Sequence, residues 1–172
     1  MRLLLVILLL IISTACSVAA ERETSASNSS PDGNYVLKIE ARPEAGRDLY
    51  LVSSEDAKTR VLLESTDRWM NFRWAPNSQY CVVENHSDGH ITSLKIFKIY
   101  GRGKDGAIVW EEVYHSPSPQ RYDCFWTLLN WNLKSGTVKL HCRYREEEAG
   151  VVGTGKWIER DFEVPIDCVP LH

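Results

Sequence analysis

Short runs of apolar residues alternate with clusters of turn residues along most of the chain, and this pattern predicts β-strands. No apolar pattern at helical spacing persists over three turns, so we expect no long helix. Because the connections are short, neighbouring strands should pair antiparallel. The sequence therefore predicts an all-β fold, an antiparallel meander of about ten strands, at residues 34–42, 48–53, 59–64, 69–75, 79–86, 90–100, 107–114, 124–131, 136–145 and 155–164.

One predicted hairpin late in the chain separates an apolar face from a charged face. Its first strand alternates apolar with basic side chains: Val138, Leu140, Cys142 and Tyr144 against Lys139, His141, Arg143 and Arg145. Its second strand carries a tryptophan and acidic side chains on one parity: Trp157, Glu159, Asp161 and Glu163. Folding the chain about Ala149 and Gly150 places acids across from bases. We therefore expect ion pairs on an exposed face, with Arg143 over the ring of Trp157.

A turn followed by a strand recurs three times along the chain. The segments are Ser30-Pro31-Asp32-Gly33-Asn34-Tyr35-Val36-Leu37, Trp74-Ala75-Pro76-Asn77-Ser78-Gln79-Tyr80-Cys81-Val82-Val83 and Trp131-Asn132-Leu133-Lys134-Ser135-Gly136-Thr137-Val138. The first two resemble the WD-like propeller repeat of bacterial envelope proteins, whereas the third lacks the Pro and the Asp. Since about four blades are needed to close a ring, the resemblance implies a propeller fragment, or else a sandwich-like stack of two sheets.

The beginning of the chain has the pattern of an export signal. Arg2 precedes an unbroken apolar run over residues 3–12, which is too short to span a bilayer. The next residues, Ser13-Thr14-Ala15-Cys16, resemble the lipobox of bacterial lipoproteins, although that family most often has Leu where Ser13 stands. The resemblance implies that Cys16 carries diacylglycerol and anchors the protein to a membrane of the bacterial cell envelope. Cleavage after Ala19 or Ala20 is the alternative, and it would yield a freely secreted protein.

These features divide the chain into three parts. Residues 1–15 form the predicted signal peptide, residues 16–30 the lipidated Cys and a Ser-rich flexible tether, and residues 31–172 a single all-β domain. The domain contains Cys81, Cys124, Cys142 and Cys168, an even set in an exported protein. We predict two structural disulfides among them, with three pairings possible, and buried free thiols as the alternative.

Composition and motifs exclude several classes of function. The net charge of −3 gives no field that favours nucleic acid, so we expect no nucleic-acid partner. His86-Ser87-Asp88-Gly89-His90 is a cluster of metal-capable side chains, but its spacing fits no zinc or calcium pattern. The chain has neither G-x-S-x-G nor H-E-x-x-H. We therefore name no catalytic residue, metal ligand or cofactor.

One aromatic stretch hints at binding. It comprises Tyr122, Phe125, Trp126 and Trp131. Phe125 and Trp126 must point to opposite faces of a strand. Leu128 and Leu129 also occupy both faces, which favours a strand buried between two layers over an exposed platform for a glycan or protein.

The sequence as a whole predicts a cell-envelope lipoprotein whose non-catalytic β-rich domain binds a protein or glycan partner. An envelope-polymer hydrolase is the first alternative, although no residues can be named for it. A freely secreted glycoprotein is the second, because Asn28-Ser29-Ser30 and Asn85-His86-Ser87 are glycosylation sequons.

Overall fold

The structure is a computed structural model that describes residues 28–87, 89–117, 123–146 and 155–166. In these ranges the chain forms ten strands: β1 (Tyr35–Ala41), β2 (Arg47–Ser53), β3 (Arg60–Thr66), β4 (Trp69–Trp74), β5 (Tyr80–His86), β6 (Ile91–Arg102), β7 (Ile108–His115), β8 (Cys124–Asn132), β9 (Thr137–Arg145) and β10 (Trp157–Pro165). Every strand boundary lies within two residues of its predicted position. The all-β prediction is confirmed, and this part of the chain has no helical segment that could cross a lipid bilayer.

The strands form three antiparallel groups, which we call the first unit (β1 to β3), the middle unit (β4 to β7) and the last unit (β8 to β10). The first unit is a three-stranded sheet, and the other two units share a seven-stranded sheet. Strand β6 joins them, because its first residues Ile91 and Thr92 pair in parallel with Cys124 and Phe125. Sequence neighbours thus pair antiparallel within each unit, whereas β8 departs from the expected meander by joining β6 in parallel.

Two core clusters separate the three units. The first cluster lies between the first and middle units and includes Leu37, Leu49, Leu51, Cys81, Val83 and Phe97. The second lies between the middle and last units and includes Tyr80, Val82, Ile96, Trp126, Leu140 and Cys142. Strand β5 shows why both form, since alternate side chains of a strand point to opposite faces and each face of β5 meets a different cluster. The middle unit is therefore a layer buried on both sides.

The outer faces of the stack are polar. On the first unit, the carboxylate of Glu40 pairs with Lys38 at 2.9 Å and with Arg60 at 3.0 Å. On the last unit, Asp161 pairs with Lys139 at 2.8 Å and with His141 at 2.9 Å. The stack therefore ends in solvated surfaces on both sides.

The charged hairpin predicted from the sequence is confirmed. Glu159 lies opposite Arg143 in the register of β10 and β9, with 3.5 Å between carboxylate and guanidinium. The guanidinium carbon of Arg143 lies 4.2 Å from the centroid of the Trp157 ring.

The first two repeated turns have the same local structure. In one, the N–H groups of Ser30 and Gly33 donate to the carbonyls of Tyr35 and Ser30. In the other, the N–H groups of Ala75 and Ser78 donate in the same way to the carbonyls of Tyr80 and Ala75. Gly33 and Ser78 both adopt positive φ, 77° and 62°. The third segment differs, since its positive-φ residue is Gly136, one position later relative to the strand.

Candidate functional site

Strand ends from six strands of the seven-stranded sheet meet at one edge and carry a row of polar and aromatic side chains, which form one contacting group around His86 and another around Asp123. We call it the Trp69–Trp157 row, and its members are Trp69, His86, Thr92, His90, Asp123, Arg145 and Trp157. Strands β4, β6, β8 and β10 begin at this edge, whereas β5 and β9 end there. The row thus follows from the strand order β10-β9-β8-β6-β5-β4.

The row starts with an indole stacked on an imidazole. Trp69 lies opposite His86 in the register of β4 and β5, and the two ring centroids are 3.4 Å apart with an angle of 11° between the planes. Nevertheless Trp69 is 47% exposed, so the indole is held in place while much of it faces solvent. Nδ1 of His86 lies 2.9 Å from the hydroxyl oxygen of Thr92, a buried residue on β6.

Burial determines the charge of His86. Desolvation lowers the pKa of His86 below its usual value of 6.5, and the nearby carboxylate of Glu84 opposes this effect only in part. The imidazole that supports Trp69 is therefore neutral at pH 7.

The middle of the row is an ionic cluster around Asp123. One carboxylate oxygen lies 2.6 Å from Nδ1 of His90, and the other lies 3.4 Å from Nε of Arg145. The backbone reinforces this arrangement, since the Asp123 carbonyl accepts from the N–H of Arg145 and the His90 carbonyl accepts from the N–H of Cys124. Asp123 has a φ of 57°, which Asp tolerates better than most residues. The side chain is only 14% exposed, so its geometry is well constrained.

The row ends at Trp157. The guanidinium carbons of Arg143 and Arg145 lie 4.2 Å and 4.6 Å from its ring centroid. The ring of Phe125 is 6.1 Å away at an angle of 40°. Each cation–π contact contributes about 0.5–1 kcal/mol at an exposed site, and together they hold the guanidinium groups along the surface.

The row combines a fixed aromatic face with planar hydrogen-bonding groups. An exposed indole packs against the apolar face of a ligand, while guanidinium, imidazole and carboxylate groups meet hydroxyls or charges at its edges. The arrangement is suited to recognition of an extended amphipathic ligand, because the row crosses six strand ends.

A separate groove of about 480 Å³ lies between the β2–β3 and β6–β7 turns. Two of its three cationic side chains already have partners, since Arg60 pairs with Glu40 at 3.0 Å and Arg102 with Glu55 at 3.6 Å. Arg102 also donates to the hydroxyl of Ser53. Among the residues that line the groove there is no aromatic ring on which a ligand could stack.

The predicted site residues fall into two groups. Cys16 and Cys168 lie outside the described residues. Cys81, Cys124 and Cys142 are described, and all three are buried free thiols. Cys81 belongs to the first core cluster, whereas Cys124 and Cys142 belong to the second, where their Sγ atoms are 3.7 Å apart. The two disulfides expected from the sequence remain a prediction.

The aromatic stretch of β8 is divided between core and surface. Trp126 is buried in the second core cluster, whereas Phe125 is half-buried and contacts Trp157 at the row. The expectation that Leu129 is buried is wrong, because it lies on the face of β8 opposite to the buried residues Trp126 and Leu128 and is 47% exposed. Tyr122 lies outside the described residues.

The sequence drew attention to His86 and His90 as metal-capable side chains, whereas in the structure they are members of the Trp69–Trp157 row. The structure places both in the row with separate partners, Thr92 for His86 and Asp123 for His90. Asp88 lies outside the described residues, and the described ones contain no group of three side chains that could hold a metal ion. Trp69 and Arg145 were not predicted as site residues, although a tryptophan directly after the turn residues Asp67 and Arg68 was a signal for an exposed strand end.

No family model, curated protein or solved structure matches the chain significantly.

Proposed function

We propose that the protein is a cell-envelope lipoprotein, anchored through lipid on Cys16, whose β domain binds a glycan at the Trp69–Trp157 row without catalysing a reaction. The observation that carries the proposal is Trp69, an indole that is 47% exposed and yet fixed by stacking on His86 at 3.4 Å. A sugar ring presents a C–H face to such an indole, and further sugar units of the glycan reach the His, Asp and Arg side chains farther along the row.

The distribution of exposed apolar residues favours a glycan over a protein partner. Stable protein interfaces bury about 800 Å² on each side around an apolar centre. Among the described residues, the other large exposed apolar side chains lie on four different strands: Leu62, Val109, Leu129 and Phe162. Scattered residues of this kind do not form such a centre, whereas one aromatic ring is sufficient to stack on a sugar.

The position of the tether is consistent with a site that faces away from the membrane. The Asn28 carbonyl accepts hydrogen bonds from the N–H of Leu37 at 2.8 Å and from the indole N–H of Trp74 at 3.2 Å. Trp74 is the last residue of β4 and Trp69 is the first. At about 3.3 Å per residue, five steps along the strand separate tether and row by about 17 Å. An anchor at Cys16 would thus present the row to the surroundings.

Of the two sequons, the second does not suit a glycosylated protein, whereas Asn28 of the first is exposed. Asn85 of the second sequon is buried, and its side-chain amide donates to the Ser65 carbonyl at 3.2 Å. This amide nitrogen is the atom to which a glycan would be attached, so modification would disrupt the contact between the first and middle units.

The test is retention of the purified protein on immobilised envelope glycans, including peptidoglycan fragments and surface polysaccharides. We expect Trp69→Ala to weaken binding about 10-fold, since loss of one aromatic contact of this kind removes about 1 kcal/mol or more. Leu62→Ala is the matched control, because Leu62 is 46% exposed on the first unit and lies outside the row. Equal binding by wild type and Trp69→Ala, or failure to retain any glycan, would overturn the proposal.

A further inference from the structure

Two thiols lie in contact within the second core cluster. The Sγ atoms of Cys124 and Cys142 are 3.7 Å apart, and both side chains are buried. In the antiparallel register of β8 and β9, Cys124 lies opposite Tyr144 and Trp126 lies opposite Cys142. The two cysteines are therefore diagonal neighbours on one face. We infer that Cys124 and Cys142 form a disulfide with each other when the protein is oxidised, in preference to any bond with Cys81.

The geometry requires little rearrangement. A disulfide has an S–S distance of about 2.05 Å, so the two sulfur atoms must approach by about 1.6 Å. This movement is shared between two side chains on strands that are already hydrogen-bonded in register. The bond would fasten the start of β8 to the end of β9, next to Asp123 and Arg145 of the row.

The two thiols differ in position, and Cys124 is the better placed to react first. The thiol of Cys142 hydrogen-bonds to Cys124, which lowers the pKa of Cys124 and raises the pKa of Cys142. A thiolate, and not a thiol, attacks a disulfide. Cys124 is also the first residue of its strand, whereas Cys142 lies within β9.

The reaction is a thiol–disulfide exchange with a small disulfide, for which glutathione disulfide serves as the oxidant. The Cys124 thiolate attacks one sulfur of the oxidant, which forms a mixed disulfide and releases one glutathione thiolate. Cys142 then loses its proton to solvent and attacks the sulfur of Cys124, which releases the second glutathione thiolate. Two protein thiols are oxidised to one disulfide, and one glutathione disulfide is reduced to two thiols.

Cys81 is separated from this pair by the middle unit. It points into the first core cluster on the other face of β5, and its complete burial raises its thiol pKa far above the usual range. Neither its position nor its protonation state suits exchange with Cys124.

The test is peptide mapping of the full chain after incubation with glutathione disulfide, followed by alkylation in denaturant without reductant. We expect a peptide pair that links Cys124 to Cys142, with a mass lower than the two reduced peptides by two hydrogen atoms, and no link from either of them to Cys81. The link should persist in Cys81→Ser and disappear in Cys142→Ser, where Cys124 becomes alkylated or glutathionylated.

Two results would overturn the inference. One is a link from Cys81 to either partner, and the other is full alkylation of both Cys124 and Cys142 in wild-type protein after oxidation. The wild-type chain and Cys81→Ser are both informative, so the test does not depend on the folding of the Cys142→Ser variant. Its outcome is also independent of glycan binding, since no ligand is present.

Discussion

The buried carboxylate of Glu84 accepts a hydrogen bond from the backbone N–H of Leu128 at 3.0 Å, and so joins the middle unit to the last unit. The same oxygen accepts from the hydroxyl of Thr127 at 2.9 Å. Arg73 completes the contact by donating to the Leu128 carbonyl at 3.3 Å. Strand β8 pairs with β6 only through its first two residues, so farther along β8 these side chains satisfy backbone groups that a neighbouring strand would otherwise bind.

Replacement of Glu84 should destabilise the fold strongly. Glu84→Ala leaves a buried N–H and a half-buried hydroxyl without their acceptor, and we expect a loss of about 3 kcal/mol in the free energy of unfolding. Glu84→Gln keeps one carbonyl acceptor and should lose less. Thr127→Val removes one donor and should lose about 1–2 kcal/mol. Urea denaturation measures all three variants, and a loss below about 1 kcal/mol for Glu84→Ala would contradict this role.

The hydroxyl of Ser78 joins the two equivalent turns, because it accepts a hydrogen bond from the N–H of Asp32 at 2.9 Å. Ser78 also has a positive φ of 62°, which favours glycine. We expect Ser78→Ala to lower the free energy of unfolding by about 1 kcal/mol, since it removes the acceptor and keeps the backbone strain. Ser78→Gly loses the same bond but relieves the strain, so it should be the more stable of the two in thermal unfolding. The reverse order would show that backbone strain at Ser78 does not set the difference between the two variants, and an unchanged free energy of unfolding in Ser78→Ala would contradict the role of the hydrogen bond.

The strands could be predicted because each depends on local alternation and nearby turn residues. The hairpin of Arg143 and Glu159 is an example, since its face pattern and register follow from a single stretch of chain. Glu84 could not be predicted, because in sequence it is a polar residue in an apolar strand and its partner Leu128 lies 44 residues away. The exposure of Leu129 could not be predicted either, because it depends on whether another layer covers that face of β8, and local alternation does not specify this.

The candidate site was predicted only in fragments for the same reason. The two histidines were conspicuous in the sequence, but stacking of Trp69 on His86 requires the register of β4 and β5. Contact between His90 and Asp123 further requires the parallel junction of β6 with β8. Such junctions join separate units of the fold, and short-range patterns do not specify them.

The ion pairs of the last unit should be visible in the titration of Asp161. Hydrogen bonds from Lys139 and then His141 lower the pKa of Asp161 below 3.8. A lowered carboxylate pKa contributes stability above the unfolded-state pKa, and this contribution is lost as the pH falls through the folded-state value. We expect an NMR midpoint for the Asp161 carboxyl below 3.8 that rises in Lys139→Met and, to a smaller extent, in His141→Gln. An unchanged midpoint in Lys139→Met would contradict the assignment.

The titration of His86 should depend on the indole that covers it. Burial lowers the pKa of His86 below 6.5 in the folded protein, against the opposing effect of Glu84. Because the unfolded chain binds this proton more readily, the contribution of neutral His86 to stability is complete above about pH 6.5 and is lost as the pH falls through the folded-state pKa. The wild-type protein should therefore lose more stability between pH 7 and pH 5 than His86→Gln does, as measured by urea denaturation at both pH values.

The imidazole midpoint of His86, measured by NMR, reports more directly on the shielding by Trp69. Trp69→Ala removes the stacked ring at 3.4 Å and exposes the imidazole, so its midpoint should rise towards 6.5. Leu62→Ala, on the first unit, should leave the midpoint unchanged. If Trp69→Ala also leaves it unchanged, the indole does not shield His86, and the rigid support that we assign to the exposed ring of Trp69 is absent.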